Sequence, residues 1–137
     1  MSAEDNKAIV RRYLDEAWNK GNVNILDELM TPDYARYVGT AGAHLDREGQ
    51  KQRLAGLHKA FGELQLVLDD MLAEEDEVTI RIRLIGTHRD TFMGVPATGK
   101  QITIVAIDIL RLVDGKVAEH WGVMDTYGAL QQLGAIS

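Results

Sequence analysis

The chain contains no cysteine among its 137 residues. That removes disulfides, thiol nucleophiles and thiolate metal sites, and it agrees with a reducing cytoplasm. Serine occurs only at Ser2 and Ser137, with no GxSxG elbow, which argues against a serine hydrolase. Positive charge is short: Lys and Arg total 15 against 21 Asp and Glu, a net charge of −6. Phosphate and anionic lipid surfaces are bound by clustered Lys and Arg, so neither nucleic acid nor membrane is an expected partner. No apolar run approaches the roughly 18 residues of a membrane span. Met1 to Lys7 is polar and lacks the apolar region of a signal peptide. A cytoplasmic protein is expected. The 4 histidines show no HxxxH, HExxH or facial-triad spacing, so no metal is expected. The acidic stretch Glu74 to Glu77 lacks calcium-loop spacing and reads as a solvated turn. Gly94-Val95-Pro96-Ala97-Thr98-Gly99 lacks the GK[ST] ending of a phosphate loop and reads as a connector.

The composition that remains is that of an ordinary globular domain, with 45% hydrophobic and 26% charged residues. A chain this long builds one sizeable core, so residues 1–137 are expected to form one domain. Ser2 is placed to cap a helix carrying Ile9, Val10, Tyr13, Leu14, Ala17 and Trp18 at helical spacing, stopped by Gly21. A short helix with Ile25, Leu26, Leu29 and Met30 ends at Thr31-Pro32-Asp33. Tyr34 to Val38 reads as a short extended segment, and a third helix is predicted from about Arg47 to Phe61. The period then changes to two. Val78, Ile80, Ile82 and Leu84 share one parity, as do Ile102, Ile104, Ala106, Asp108, Leu110 and Leu112. Asp114-Gly115 makes a hairpin turn into Lys116 to Met124. A final helix carries Tyr127, Leu130 and Leu133. Helices first and antiparallel strands after imply an α+β fold, with helices packed on one face of a curved sheet.

In a half-covered sheet the informative residue is the charge on the apolar parity. Asp108 is that residue. Burying a carboxylate alone costs several kcal/mol, so a partner or a raised pKa is expected. A plain two-residue hairpin sets Trp121 opposite Asp108, and one bulge would bring His120 or Gly122 there. Parity alone leaves the face of His120 open, because the competing set Val117, Glu119, Trp121 and Val123 is slightly more apolar yet contains Glu119. His88 keeps the inward parity of Ile80, Ile82, Leu84 and Gly86 and is the other candidate. An Asp and a His on facing strands suit general acid/base chemistry. They equally suit a mutually satisfied polar pair that fixes the core. Trp18, Tyr34 and Phe61, with Ile104 on the Asp108 parity and Met124 on the His120 parity, are expected around a cavity. Phe92 and Met93 are expected at its lip. His44 reads as solvated and His58 as a satisfied helix histidine. Asp125 is a favoured N-cap for the last helix.

Together these segments resemble the SnoaL-like polyketide cyclases, often called ester cyclases, within the nuclear-transport-factor-2-like superfamily. The carriers are Lys7 to Tyr13, Leu29 to Tyr34, Gly86 to Arg89, Phe92 to Lys100, Asp108 to Arg111, Asp114 to Lys116, Glu119 to Asp125 and Leu130 to Gly134. The resemblance implies a cone: a curved antiparallel sheet wrapped round the N-terminal helices, with an internal apolar pocket. It implies that His120 and Gly122 line that pocket, with Trp121 on the other face, and that two copies pair through the outer face of the sheet. It also implies an apolar small-molecule ligand and no cofactor: the family's cyclases close a ring by aldol condensation on a polyketide ester. In those cyclases the acid/base aspartate falls at the position of Gly122, and an assisting histidine at that of Asp108. This chain departs at both. The departure suggests a carboxylate moved to the neighbouring strand, with Asp108 and His120 as the proton-transfer pair.

Three functions compete at this stage. The first is cofactor-free proton transfer on an apolar carbonyl compound, either aldol cyclisation or isomerisation, with Asp108 as base and His120 or His88 assisting. The second is a non-catalytic ligand-binding or dimerisation domain, since fold does not fix function. The third is an epoxide hydrolase of the limonene type, which needs an inward arginine. Arg81 and Arg83 lie on the outward parity, against that reading.

Overall fold

Ser2 opens the chain with a reciprocal cap. Its hydroxyl accepts from Asp5 N at 3.1 Å, and the Asp5 carboxylate accepts from Ser2 N at 3.2 Å. In the computed structural model, which describes residues 1–40 and 42–137, this cap starts helix α1, Ala3–Tyr13. The helix does not run straight on to Gly21, as its spacing predicts. Leu14–Asn19 widens into a π-helical turn, where Lys20 N bonds Asp15 O at 2.9 Å. The wider turn buries Leu14, Ala17 and Trp18 together. Such turns concentrate at functional sites. A 3-10 turn, Val23–Ile25, leads into α2, Leu26–Leu29.

Strand β1, Met30–Val38, and the short β2, His44–Leu45, precede α3, Arg47–Ala60. Asp46 caps α3 by accepting from Gly49 N at 2.8 Å. Phe61 has an extended φ of −123° and opens β3, so α3 stops one residue before its predicted end. Long strands follow: β3, Phe61–Glu74; β4, Glu77–His88; β5, Gln101–Val113; and β6, Lys116–Met124. Helix α4, Thr126–Gln132, closes the chain, with Asp125 accepting from Gly128 N at 2.9 Å.

The fold is α+β: one six-stranded sheet in the order β2-β1-β6-β5-β4-β3, with helices on its inner face. The expectation of a wholly antiparallel sheet needs one correction. Strand β1 joins β6 in parallel, with Arg36 opposite His120 and Tyr37 opposite Trp121. Parallel neighbours require a long crossover, which here is the whole chain between them. Bulges in β3 and β6 bend the sheet over the helices. The parities of β4 and β5 are as predicted. Val78, Ile80, Ile82, Leu84, Ile102, Ile104, Leu110 and Leu112 are all buried against Val10, Tyr13, Leu26 and Leu54. Each such aliphatic side chain contributes on the order of 2 kcal/mol through removal from water. No helix among the described residues is long and apolar enough to cross a membrane.

Candidate active site

The site begins with a bulge. Asp114 and Gly115, at φ of 49° and 80°, make a tight turn that pairs Val113 with Lys116 and Leu112 with Val117. Arg111 then pairs with Glu119, so Ala118 is the extra residue. From there the inward parity of β6 switches. Val117 and His120 both face the core, while Glu119 turns outward to the Arg111 guanidinium. Trp121 also turns outward and stacks on Tyr37, ring centroids 5.6 Å apart. Gly122, not Trp121, now stands opposite Asp108. A Cβ at Gly122 would collide with Asp108 Oδ1 and come within 2.7 Å of Arg36 Nη2. The carboxylate of Asp108 therefore fills the space that any side chain at 122 would take.

His120, 1% exposed, holds that carboxylate, with Nε2 lying 2.7 Å from Asp108 Oδ2. Its Nδ1 is 2.9 Å from the Tyr34 hydroxyl. Arg36, buried on β1, brings Nη1 to 3.4 Å from the same Oδ2 and 2.8 Å from His120 Nε2. Nε2 cannot both donate to Asp108 and accept from Arg36. The neutral tautomer with Nε2–H toward Asp108 leaves Nδ1 to accept from Tyr34, and Oδ2 then accepts from both His120 and Arg36. Asp108 Oδ1 accepts from no protein donor among the described residues. Around this set, the Tyr13 hydroxyl accepts from Trp18 Nε1 at 3.2 Å and from Gln50 Nε2 at 3.1 Å, and the Tyr13 ring stands edge-on to His120.

Burial alone would raise the Asp108 pKa. The bond from His120 and the positive charges around it, Arg36 and Arg53 included, outweigh burial and hold it below the usual carboxylate value. Burial lowers the His120 pKa, and the Arg36 and Arg53 charges add to that, beating the bond and charge of Asp108. The pair is thus an ionised aspartate and a neutral histidine at pH 7. With two arginines beside it, the site carries one net positive charge.

Asp108, Arg36, Arg53, Trp18 and Met124 line a small pocket whose apolar wall is Ile82, Leu84 and Ala106. Leu84 is shared with a second, apolar pocket lined by Phe61, Leu64, Gly86, Ile102 and Ile104. Each has room for about one water, roughly 10 Å³. Tyr34 stands behind His120 and Phe92 behind Phe61, its ring 5.0 Å away, so both back the pockets without lining them. Met93, at the tip of a turn and 54% exposed, lines neither.

His88 does not join Asp108. Ile80 is the residue of β4 opposite Asp108, and eight residues of extended chain put His88 roughly 26 Å further along. His88 instead binds Thr98: its Nδ1 accepts from Thr98 N at 3.2 Å and lies 3.0 Å from Oγ1, leaving the buried Nε2 without a partner among the described residues. His44 is exposed, and His58 reaches Ala17 O at 3.2 Å. Arg83 points outward onto Asp69, at 2.7 and 2.9 Å. Sequence reasoning missed both arginines of the site. The available signals were the parity Arg36 shares with Tyr34, and the place of Arg53 among Gln50, Leu54 and Leu57. Among the described residues no three His, Cys, Asp or Glu side chains converge as a metal site would require.

A curved open sheet covered by N-terminal helices, with an apolar cavity ending at a buried carboxylate, is a cone-type pocket fold. The chain belongs to the SnoaL-like polyketide cyclase family, whose model matches residues 8–133. Nogalonic acid methyl ester cyclase of Streptomyces nogalater is 28% identical over 121 residues, covering 86% of this chain and 90% of its own. Aklanonic acid methyl ester cyclase AcmA of Streptomyces galilaeus is 31% identical over 134 residues, covering 93% and 89%. Among solved structures, AclR of Streptomyces galilaeus matches with a TM-score of 0.89 and 33% identity, covering 99% of this chain and 100% of its own.

Two predictions follow from the geometry. Gly122→Ala should destabilise the fold by about 1–3 kcal/mol, because Asp108 and Arg36 must both move; urea unfolding measures it. The second concerns pH. The unfolded chain protonates His120 near 6.5 while the folded chain resists, so stability falls as pH drops below 6.5. Asp108 adds a further loss below 3.8. The slope His120 contributes is at most about 1.4 kcal/mol per pH unit and should be absent in His120→Gln. A constant gap between the two curves from pH 6.5 to 5 would refute the neutral histidine.

Proposed function

We propose that the protein is a cofactor-free cyclase acting on an apolar polyketide ester through an intramolecular aldol reaction. The observation that carries this is the divided carboxylate of Asp108. One oxygen is anchored by His120 and Arg36, and the other is free at the wall of an apolar pocket. Asp108 Oδ1 takes the acidic C–H proton beside the ester carbonyl. The electron pair of that bond becomes an enolate, its carbon attacks a ketone carbonyl of the same molecule, and a ring C–C bond forms. The resulting alkoxide takes the proton back from Asp108 as a hydroxyl, so atoms and charge balance without a second reactant. A carboxylate of lowered pKa is a modest base. Nearby cations, which stabilise the enolate oxygen, therefore carry much of the work. The cavity as it stands has room for a water and not for a polyketide, so the ligand enters by parting the partly exposed Met124 and Arg53.

The relatives named as methyl ester cyclases support this reading. The epoxide-hydrolase alternative gains an inward arginine in Arg36 but no second carboxylate beside it in the pocket. The test is ring closure and α-proton exchange in deuterated water, with nogalonic and aklanonic acid methyl esters as probes. Asp108→Asn should keep its fold and lose roughly 10²–10⁴-fold in rate. Wild-type turnover in that variant would overturn the assignment. A hydroxylase role has been suggested for AclR. Appearance of a product heavier by one oxygen would replace cyclisation with that chemistry.

We further infer a homodimer through the outer face of the sheet. Val105, Ile107, Ile109 and Val123 form an apolar strip there, exposed by 42, 52, 37 and 76%. Light scattering should give twice the chain mass for the wild type and the single mass for Ile107→Lys. A monomeric wild type would refute the pairing.

A further inference from the structure

Among the described residues, Arg53 is the cation of the site that has no partner. It lies on the face of α3 that carries Gln50, Leu54 and Leu57, and it lines the pocket beside Asp108. Neighbouring cations are all neutralised. Lys51 holds Asp27 at 2.7 Å and Glu48 at 2.9 Å, Arg47 holds Asp27 at 3.3 Å, and Arg36 holds Asp108. Arg53 makes no hydrogen bond or ion pair among the described residues and feels the like charge of Arg36. A half-buried guanidinium with five donors and no protein acceptor bonded to it among the described residues keeps those donors available to a ligand that brings an acceptor into the pocket. One oxygen of Asp108, Oδ2, is taken by His120 and Arg36, and a single carboxylate against the two guanidiniums of Arg36 and Arg53 leaves the pocket one positive charge in excess.

We propose that Arg53 is the specificity-determining residue of the pocket, selecting apolar ligands that carry an anionic oxygen, either a carboxylate or the enolate of a 1,3-dicarbonyl. This deepens the cyclase reading and rests on its pocket, because the enolate formed by Asp108 is such an oxygen. Arginine suits the role, since its planar fork can hold both oxygens of a carboxylate or a chelating dicarbonyl, which a lysine cannot match.

Trp18 lines the same pocket, so its fluorescence reports occupancy. The experiment uses the full chain with Trp121→Phe, which leaves Trp18 as the sole indole. Naphthalene-2-carboxylate and its neutral carboxamide are titrated side by side. The carboxylate should bind about tenfold tighter to this protein, the size expected of a charge-assisted pair. Arg53→Gln and Arg53→Met, each checked by circular dichroism, should bind both probes within roughly twofold of one another. Arg53→Lys should keep part of the preference, because it keeps the charge. The proposal is overturned if this protein binds neither probe, if it binds both alike, or if the preference survives both neutral variants. Neither probe can cyclise, so this outcome is separate from the cyclase assay. A protein that prefers the anion yet closes no ring keeps the Arg53 assignment and loses the enzyme reading.

Discussion

A carboxylate inside a sheet is the constraint around which this chain is arranged. Unpaired, Asp108 would cost several kcal/mol, a large share of a domain's whole stability. Three features remove that cost together, and each depends on another. His120 donates its Nε2–H, but only because the bulge at Ala118 turns it inward. Arg36 donates from the other side, but only because β1 lies parallel to β6 with Arg36 beside His120. Gly122 leaves the space in which the carboxylate sits. Remove the bulge, and Trp121 takes the place opposite Asp108 while His120 goes to the outer face.

What was legible in the sequence was what is decided locally. The alternation of β4 and β5 marks Asp108 as the misplaced charge before any fold is known, because burial follows parity along a strand. The Asp114-Gly115 turn fixes the hairpin, and Ser2 and Asp125 cap their helices as their types suggest. What was not legible was decided between distant segments. Nothing near Ala118 signals a bulge: its neighbours fit either register, and the choice is made by which side chains the core accepts. Widening of the first helix at Leu14–Asn19 follows from packing Trp18 toward the pocket, and helical spacing cannot show it. Arg36 and Arg53 escape a search for misplaced polarity because arginines on short strands and helix faces ordinarily snorkel to water.

The resemblance to the cyclases and the local chemistry point to one arrangement from different directions. The resemblance implies an aspartate at position 122 on β6 in the family's cyclases, and this chain has glycine there. The collision that a Cβ at Gly122 would make with Asp108 gives the exchange a spatial sense. Two adjacent strands contribute to one small volume, and a carboxylate reaching over from β5 occupies what a side chain on β6 would fill. On the proposed reading the chemical group is retained while its point of attachment changes. That exchange is possible only across a directly paired position, which the bulged register provides and the unbulged one does not.

The choice between a structural pair and a catalytic one then loses its sharpness, because the two oxygens of Asp108 do different things. Oδ2 is consumed by His120 and Arg36, the bonding expected of a group that must be held in a core. Oδ1 accepts from no protein donor among the described residues and faces the pocket, where a ligand can meet it. The anchoring also sets the chemistry. On the proposed reading, keeping Asp108 ionised supplies a base at neutral pH, and lowering its pKa weakens that base. A weak base removes a carbon-bound proton at a useful rate only if the resulting charge is stabilised where it forms. In that reading the excess positive charge of this pocket is the counterpart that the carboxylate requires.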